Sequence, residues 1–196
     1  MFVSLEGIDG SGKSTQARLL AEALGPETVT IREPGGTDAA ERIRDLLADG
    51  AVSLDPLAEL LLFLAARADL TATVIRPALE AGRNVVSDRF ADSSVAYQGA
   101  ARGLGVGEVI SLSDAATEGL WPDLTVLIRV DPELALGRAD GADRFESEGL
   151  ELQRAVAEAY EEIAQIASDR MVVVDGEGSV EEVHRRVMEV VRDRLR

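Results

Sequence analysis

The 196-residue sequence contains no cysteine and a single histidine. Without cysteine, the chain can form neither a disulfide framework nor a zinc site built on thiolates. With one histidine, a bound metal ion must be held mainly by carboxylate and hydroxyl oxygens. These ligands favour a hard cation such as Mg²⁺.

Lysine is almost missing as well, since the 20 basic residues are 19 arginines and Lys13. Acidic residues number 36 and give a formal net charge of -16. Such a surface repels polyanions, so we expect no nucleic acid partner, although a local cluster of cations can still hold a small anionic ligand such as a nucleotide.

Long apolar runs are absent too. No stretch approaches the roughly 20 apolar residues that span a bilayer. The first residues, MFVSLEGIDG, lack the basic start and apolar run of a secretory signal. We therefore expect a cytoplasmic protein without a membrane partner.

What the sequence does contain is an alternation of short β-branched runs with longer helical patterns, which is typical of a parallel α/β sheet. The runs are nearly continuously apolar, as strands covered on both faces are. They predict five strands, at 2–5, 28–32, 84–87, 124–130 and 171–174. With helices on both faces, these strands form a three-layer α/β domain that covers residues 1–196.

Two helix starts are marked by capping residues. Asp55 and Pro56 have the pattern of an N-cap and a first helical residue. Ser179 and Glu182 have the spacing of a capping box. The patterns predict helices that begin just after Asp55 and just after Ser179.

The helix after Asp55 is unusual, because LAELLLFLAA at 57–66 is apolar nearly all round. One face of this helix must cover the sheet, while another meets something else. A second subunit is the simplest explanation, so we expect a homodimer.

The strongest motif follows the first strand, where GIDGSGKS at 7–14 matches the phosphate loop G-x-x-x-x-G-K-[ST] and precedes a helical pattern. Backbone N–H groups of such a loop surround an anion, and the helix N-terminus adds partial positive charge. Lys13 would reach the β- and γ-phosphates of ATP, and Ser14 would hold Mg²⁺. A compact ammonium fits inside this loop, where the wide fork of an arginine does not. The expected nucleotide-binding residues are Gly7, Ile8, Asp9, Gly10, Ser11, Gly12, Lys13, Ser14 and Thr15.

A phosphate loop alone does not name a reaction. Small GTPases read guanine with N-K-x-D, and this chain has no second lysine with which to make that motif. Large motor ATPases need a longer chain. A small kinase that acts on a metabolite or a nucleotide is left.

Two further segments fit phosphoryl transfer. Asp88 and Arg89 follow the third predicted strand, where a carboxylate completes the Mg²⁺ shell and an arginine can clamp a phosphate. Between two helical patterns, ADGADRFESEG at 139–149 predicts a short lid that closes over the phosphates, expels water and brings in positive charge. Arg138 and Arg144 are both candidates for the arginine that the lid supplies.

On these motifs the chain resembles the bacterial thymidylate kinases over nearly its whole length. The shared segments are LEGIDGSGKSTQ at 5–16, REPGGT at 32–37, FLAAR at 63–67, DRFADSSVAYQGAARGLG at 88–105, PDLTVLIRV at 122–130 and DRFE at 143–146. REPGGT and D-R-x-x-x-S-S-x-A-Y-Q-G together are highly specific to this family. The resemblance implies a P-loop fold with strand order 2-3-1-4-5, and transfer of the γ-phosphate of ATP to dTMP in dTTP biosynthesis.

The resemblance also implies which residues bind the nucleoside of dTMP. Phe63 would stack on the thymine ring, and Arg67, one helical turn later, would hydrogen-bond a thymine carbonyl. Ser94 and Gln98 would read the edge of the base. Tyr97 would press on the sugar and exclude a 2′-hydroxyl.

Other residues would handle the 3′-hydroxyl and the phosphate. Asp9 would bind the 3′-hydroxyl. Arg44 and Arg89 would hold the monophosphate, beside a wall formed by Glu33 and Pro34.

The lid completes the implied site. Arg144 would contact the transferring phosphoryl group, Glu146 would lie near the metal ion, and Arg138 would bind ATP. Some family members carry an arginine inside the phosphate loop, but this chain has Asp9-Gly10-Ser11 there. The transition-state cation must therefore come from the lid, as in the bacterial type. The residues expected in catalysis are Asp9, Lys13, Asp88, Arg89 and Arg144.

Two alternatives stay open on the sequence. One is a related small kinase for another nucleoside monophosphate or for a deoxynucleoside. The other is a nucleotide-binding relative without catalysis, against which the intact Lys13, Ser14, Asp88 and Arg89 argue.

Overall fold

The computed structural model describes residues 1–138 and 149–194. The predicted lid residues Arg144 and Glu146 therefore lie outside the described residues.

Within the described residues, five parallel strands form one sheet in the order β2-β3-β1-β4-β5, as predicted. The strands are β1 (Phe2–Glu6), β2 (Val29–Arg32), β3 (Val85–Asp88), β4 (Leu124–Arg129) and β5 (Met171–Asp175). Their ends lie within one residue of the predicted positions. The central strands β1 and β4 are almost entirely buried, because helices cover both faces of the sheet.

Helices lie on both sides of this sheet. They are α1 (Lys13–Leu24), α2 (Asp38–Ala48), α3 (Pro56–Leu70), α4 (Arg76–Glu80), α5 (Ala91–Ser94), α6 (Val106–Thr117), α7 (Pro132–Leu136), α8 (Gly149–Ile166) and α9 (Val180–Arg194). A π-helical segment, Thr71–Ile75, joins α3 to α4, and a second one, Val95–Ala101, continues α5. Helices α1 and α9 pack together, whereas α3, α6 and α8 all contact the second π-helical segment.

Both predicted helix caps are present. Asp55 Oδ1 accepts a hydrogen bond from the backbone N–H of Leu57 at 2.9 Å. At the start of α9, Ser179 Oγ accepts from the N–H of Glu182 at 3.2 Å, and Glu182 Oε2 accepts from the N–H of Ser179 at 2.8 Å. This reciprocal pair satisfies two backbone donors that the first turn of a helix leaves free.

Helix α3 has two apolar faces, as its sequence indicates. Leu60 and Leu64 are buried, whereas Leu57 and Leu61 are 47% and 51% exposed. No helix in the described part of the chain is long and apolar enough to cross a membrane.

The parallel sheet gathers the predicted motifs at one edge. In the strand register, Leu5 and Arg32 both lie opposite Asp88, so β1, β2 and β3 end side by side. The phosphate loop follows β1, Glu33 follows β2 and Arg89 follows β3. Ligands of such sheets bind beyond the carboxyl ends of the strands.

The cap of α9 gives a stability prediction. We expect Ser179→Ala to lower the free energy of unfolding by about 1 kcal/mol, because the N–H of Glu182 loses its acceptor. Urea denaturation measures the change. Ser111→Ala is the matched control, since that exposed hydroxyl only donates to a carbonyl one turn back in α6. Equal effects of the two substitutions would contradict the cap.

Candidate active site

A cavity of about 340 Å³ opens at this edge of the sheet. Its size is that of a small-molecule site. It is lined by every residue that we expect to bind the acceptor substrate, namely Asp9, Glu33, Pro34, Arg44, Phe63, Arg67, Arg89, Ser94, Tyr97 and Gln98. Gly10, Lys13, Ser14 and Asp88 border the same cavity.

The phosphate loop wraps around Lys13, which is the first residue of α1 and is 6% exposed. Its ammonium donates to the carbonyl of Ile8 at 3.2 Å and lies 3.5 Å from Asp9 Oδ1. Burial lowers the pKa of Lys13 and Arg89 lowers it further, while Asp9 opposes the shift. Gly10 has a φ of +76° and packs directly against Ala135 of α7, so a Cβ would overlap that carbonyl. The loop is therefore closely backed by a helix.

Asp9 is the most heavily bonded side chain of the loop. It forms an ion pair with Arg89, and its Oδ2 accepts from the Tyr97 hydroxyl at 3.0 Å and from Gln153 Nε2 at 3.1 Å. Burial alone would raise the pKa of Asp9, but Arg89 and Lys13 hold it well below its usual range. Asp9 is therefore a fixed anion and a pure hydrogen-bond acceptor.

Arg89 reaches this carboxylate from an uncommon backbone conformation, with a φ of +72°. Its Nη1 donates to the carbonyl of Gly7 at 3.1 Å and to Ser93 Oγ at 3.0 Å. The guanidinium also lies 5.2 Å from the centroid of the Tyr97 ring. The left-handed backbone thus directs a cation at the phosphate loop, and strain of this kind often marks a functional site.

Glu6 supports that arrangement, although no motif in the sequence singles it out. It is fully buried and accepts hydrogen bonds from the N–H of Phe90 and the hydroxyl of Ser93, both at 2.6 Å, and from the hydroxyl of Tyr160 at 2.9 Å. Burial raises the pKa of Glu6, and the nearby Asp92 raises it further. The signal in the sequence is an acid that ends an otherwise uncharged strand.

Arg67 forms the opposite wall of the cavity and is 1% exposed. Its Nε donates to Glu33 Oε2 at 2.7 Å, and its Nη2 donates to Ser94 Oγ at 3.0 Å and to the carbonyl of Phe90 at 3.3 Å. Its Nη1 is buried and has no partner among the described residues. An unpaired buried donor is costly, so this atom is available to a ligand carbonyl.

Burial raises the pKa of the Glu33 carboxyl to about 7, and the ion pair with Arg67 limits the shift. Glu33 is 6% exposed, and its carboxylate forms the ion pair that holds the Arg67 guanidinium. Its protonation therefore changes near neutral pH, at the residue that fixes Arg67.

Gln98 lies next to Ser94 and Tyr97 in the cavity wall. Its Nε2 donates to Glu59 Oε1 at 2.8 Å. Glu59 is 2% exposed and does not line the cavity. Sequence patterns gave no reason to single out Glu59, because it lies inside an apolar helix 39 residues before Gln98.

Two residues fit a metal ion. Asp88 Oδ1 is a buried carboxylate oxygen with no partner among the described residues, and Ser14 is exposed at the start of α1. The described residues contain no group of three or more His, Cys, Asp or Glu side chains that could hold a metal by themselves. This donor set suits Mg²⁺, which takes one or two protein oxygens and the rest from water and phosphate.

Other predicted residues lie elsewhere. Gly7 and Ile8 border a second cavity of about 750 Å³, which also involves β4, β5 and α8. Ser11 is buried under the loop, whereas Gly12 and Thr15 lie around it without lining the first cavity. Arg138 is exposed just beyond α7.

Arg44 joins the cavity from α2. Its Nη1 donates to the carbonyl of Pro34 at 2.9 Å. Its guanidinium is therefore anchored at the wall formed after β2, on the same cavity as Arg89.

Comparisons with known proteins agree with this geometry. Residues 5–187 match the family model described as thymidylate kinase. The chain is 43% identical to a thymidylate kinase of Caldanaerobacter subterraneus subsp. tengcongensis, over 100% of this chain and 96% of that protein. It is 46% identical to a thymidylate kinase of Kosmotoga olearia, over 96% and 93% respectively. A crystal structure of thymidylate kinase from Ehrlichia chaffeensis superposes with a TM-score of 0.81 at 35% identity, and covers 97% of this chain and 98% of that chain.

The buried Glu33 gives a pH prediction. Its pKa of about 7 exceeds the ordinary glutamate value of 4.5, so between these two pH values the folded state binds a proton that the unfolded state has lost. Stability from this group is therefore complete at low pH and is lost as the pH rises through 7. Relative to Glu33→Gln, the free energy of unfolding of the wild type should fall by roughly 2 kcal/mol between about pH 5.5 and about pH 8.

Urea denaturation across that pH range measures the difference. Glu80→Gln, at an exposed position of α4, controls for the change of net charge. A wild-type advantage over Glu33→Gln that grows with pH would overturn this account of Glu33.

Proposed function

Since the chain belongs to the thymidylate kinase family, its activity is the transfer of the γ-phosphate of ATP to dTMP, giving dTDP, and we propose how its residues share that work. The observation that carries the proposal is the cavity beside Lys13, which is lined by part of the phosphate loop and by all the expected dTMP-binding residues.

The base of dTMP binds at the wall formed by α3 and the segment after β3. Phe63 stacks on the thymine ring. Arg67 Nη1, which is buried without a partner, donates to a thymine carbonyl. Ser94 and Gln98 contact the edge of the base. This end of the cavity supplies specificity, since buried polar groups left unpaired by a wrong base are costly.

The sugar and the phosphate bind toward the phosphate loop. Asp9 accepts a hydrogen bond from the 3′-hydroxyl, for which its ionised state suits it. Tyr97, hydrogen-bonded to Asp9, occupies the space that a 2′-hydroxyl would need. Arg44 and Arg89 hold the monophosphate against the wall of Glu33 and Pro34. The acceptor oxygen is thereby positioned for in-line attack.

ATP binds on the loop from the other side. Backbone N–H groups of residues 7–15 surround its phosphates, and Lys13 contacts the β- and γ-phosphoryl oxygens. Ser14 and Asp88 would hold Mg²⁺, which would neutralise charge on the phosphates. A place for Glu146 near that ion is proposed from the sequence alone. From the sequence alone, we propose that Arg144 of the lid contacts the transferring phosphoryl group and that Arg138, just before the lid, binds ATP.

Catalysis in this scheme needs no strong general base, because the acceptor is already an anionic phosphate. Lys13, Arg89 and the lid arginine oppose the charge that spreads over the transferring group. Positioning of the two substrates and exclusion of water supply most of the rate enhancement.

We infer that the protein acts as a homodimer in the cytoplasm, where ATP and dTMP are available. The exposed Leu57 and Leu61 lie one turn apart on α3 and support a contact between subunits there. The net charge of -16 argues against a nucleic acid partner.

The assigned activity is tested by supplying ATP and Mg²⁺ with dTMP, dUMP, UMP, CMP, AMP or thymidine. We expect dTMP to have the highest kcat/KM. Lys13→Ala, purified in the same way, should lose about 10²-fold or more, as should Arg144→Ala, because each removes a cation from the transition state. A different best acceptor, or full activity of Lys13→Ala, would refute the assignment.

The proposed dimer gives a separate prediction. Light scattering should report twice the monomer mass of 20.9 kDa for the wild type. Leu61→Glu should shift the mass toward the monomer, because it places a charge in an apolar contact. Ile166→Glu, on α8 and also strongly exposed, is the control and should not. A monomeric wild type would contradict the proposed contact.

A further inference from the structure

Glu59 is buried and does not line the cavity, but it contacts Gln98, which does. Its Oε1 accepts a hydrogen bond from Gln98 Nε2 at 2.8 Å. Arg102 holds the same carboxylate from another side, with Nε 3.3 Å from Oε1 and Nη2 3.4 Å from Oε2. With both oxygens engaged by donors, the carboxylate has a defined orientation.

This contact fixes which end of the Gln98 amide faces the base. A side-chain amide has a donor end and an acceptor end, whereas a carboxylate only accepts. Glu59 therefore binds the NH₂ end of Gln98. The carbonyl oxygen of Gln98 is the end left for the cavity that this residue lines.

The cavity thus presents a donor and an acceptor, since Arg67 and Gln98 both line it and Ser94, to which Arg67 Nη2 donates, lies four residues before Gln98. The donor is Arg67 Nη1, and the acceptor is the carbonyl of Gln98. Thymine and uracil offer the complementary pair, a carbonyl next to a ring N–H. Cytosine offers the reverse, an amino group next to an unprotonated ring nitrogen, and would set donor against donor and acceptor against acceptor.

We propose that Glu59 is a positioning residue that holds the Gln98 amide in one orientation and thereby sets the preference for an imide base over cytosine. The inference rests on the proposed function, because it takes Arg67 and Gln98 to face the base of bound dTMP. It adds a residue that touches no substrate and acts on base selection alone.

The direct test is Glu59→Gln, assayed with ATP and dTMP, dUMP or dCMP. A glutamine at this position presents either an oxygen or an NH₂ group, so it no longer dictates the orientation of Gln98. We expect the ratio of kcat/KM for dTMP to that for dCMP to fall by about 10- to 100-fold, the range for a mispaired buried hydrogen bond. The ratio for dTMP to dUMP should not change, because both bases carry the same imide.

Glu59→Asp is a second variant in case Glu59→Gln folds poorly. It keeps a negative charge for Arg102 but draws the oxygen back from Gln98 by one methylene group. The ratio of dTMP to dCMP should fall here too. Circular dichroism and urea denaturation establish that each variant is folded under assay conditions.

A double-mutant cycle shows whether Glu59 acts through Gln98. Gln98→Met removes the amide and keeps a side chain of similar length. The double variant with Glu59→Gln should have the same ratio of kcat/KM for dTMP to that for dCMP as Gln98→Met alone. The matched control is Glu6→Gln, which alters another buried glutamate that does not touch Gln98. It should leave that ratio unchanged even if it lowers both rates.

The outcomes separate the inference from the function on which it rests. A wild type that does not prefer dTMP refutes the proposed function. A wild type that prefers dTMP, with an unchanged ratio in both Glu59 variants, overturns the role of Glu59 alone. An equal change of the ratio in Glu6→Gln, or a further change in the double variant, also overturns it, because the effect would not run through Gln98.

Discussion

The ion pair between Asp9 and Arg89 is the interaction on which the rest of the site depends. It joins the loop after β1 to the turn after β3, two segments that the parallel sheet places side by side. Gln153 ties α8 to the same carboxylate, and Glu6 fixes the backbone that follows Arg89. A partly buried pair of this kind contributes geometry more than net stability, because desolvation offsets much of the attraction. Its function is to orient the side chains that are hydrogen-bonded to Asp9 and Arg89.

Arginine–carboxylate ion pairs also occur elsewhere around the cavity. Arg67 pairs with Glu33, Arg89 with Asp9, and Arg102 with Glu59. A chain with a net charge of -16 can therefore hold an anionic substrate, because its local cations are fixed in place by carboxylates before any ligand arrives. Each carboxylate restricts its arginine to one orientation. The N–H donors therefore already point in the direction in which a substrate phosphate or carbonyl binds.

The fold could be predicted closely from the sequence. The strand pattern and the phosphate loop are local in the sequence, and the resemblance implied the order of the strands. The five strands, their order and the caps at Asp55 and Ser179 are confirmed. The supporting residues were not predictable, since Glu6, Glu59 and Gln153 meet their partners 84, 39 and 144 residues away. No periodicity or local motif encodes such pairs. They exist only once the sheet has brought the elements together.

The rarity of lysine has a consequence for the chemistry of the folded protein. Lys13 carries the only side-chain amine, it is 6% exposed, and burial lowers its pKa. The amine of Met1, at the other end of β1, is bonded to Asn84. Acylating reagents that modify most proteins all over their surface therefore have one side-chain target here. Covalent labelling of that amine would report directly on occupancy of the phosphate loop.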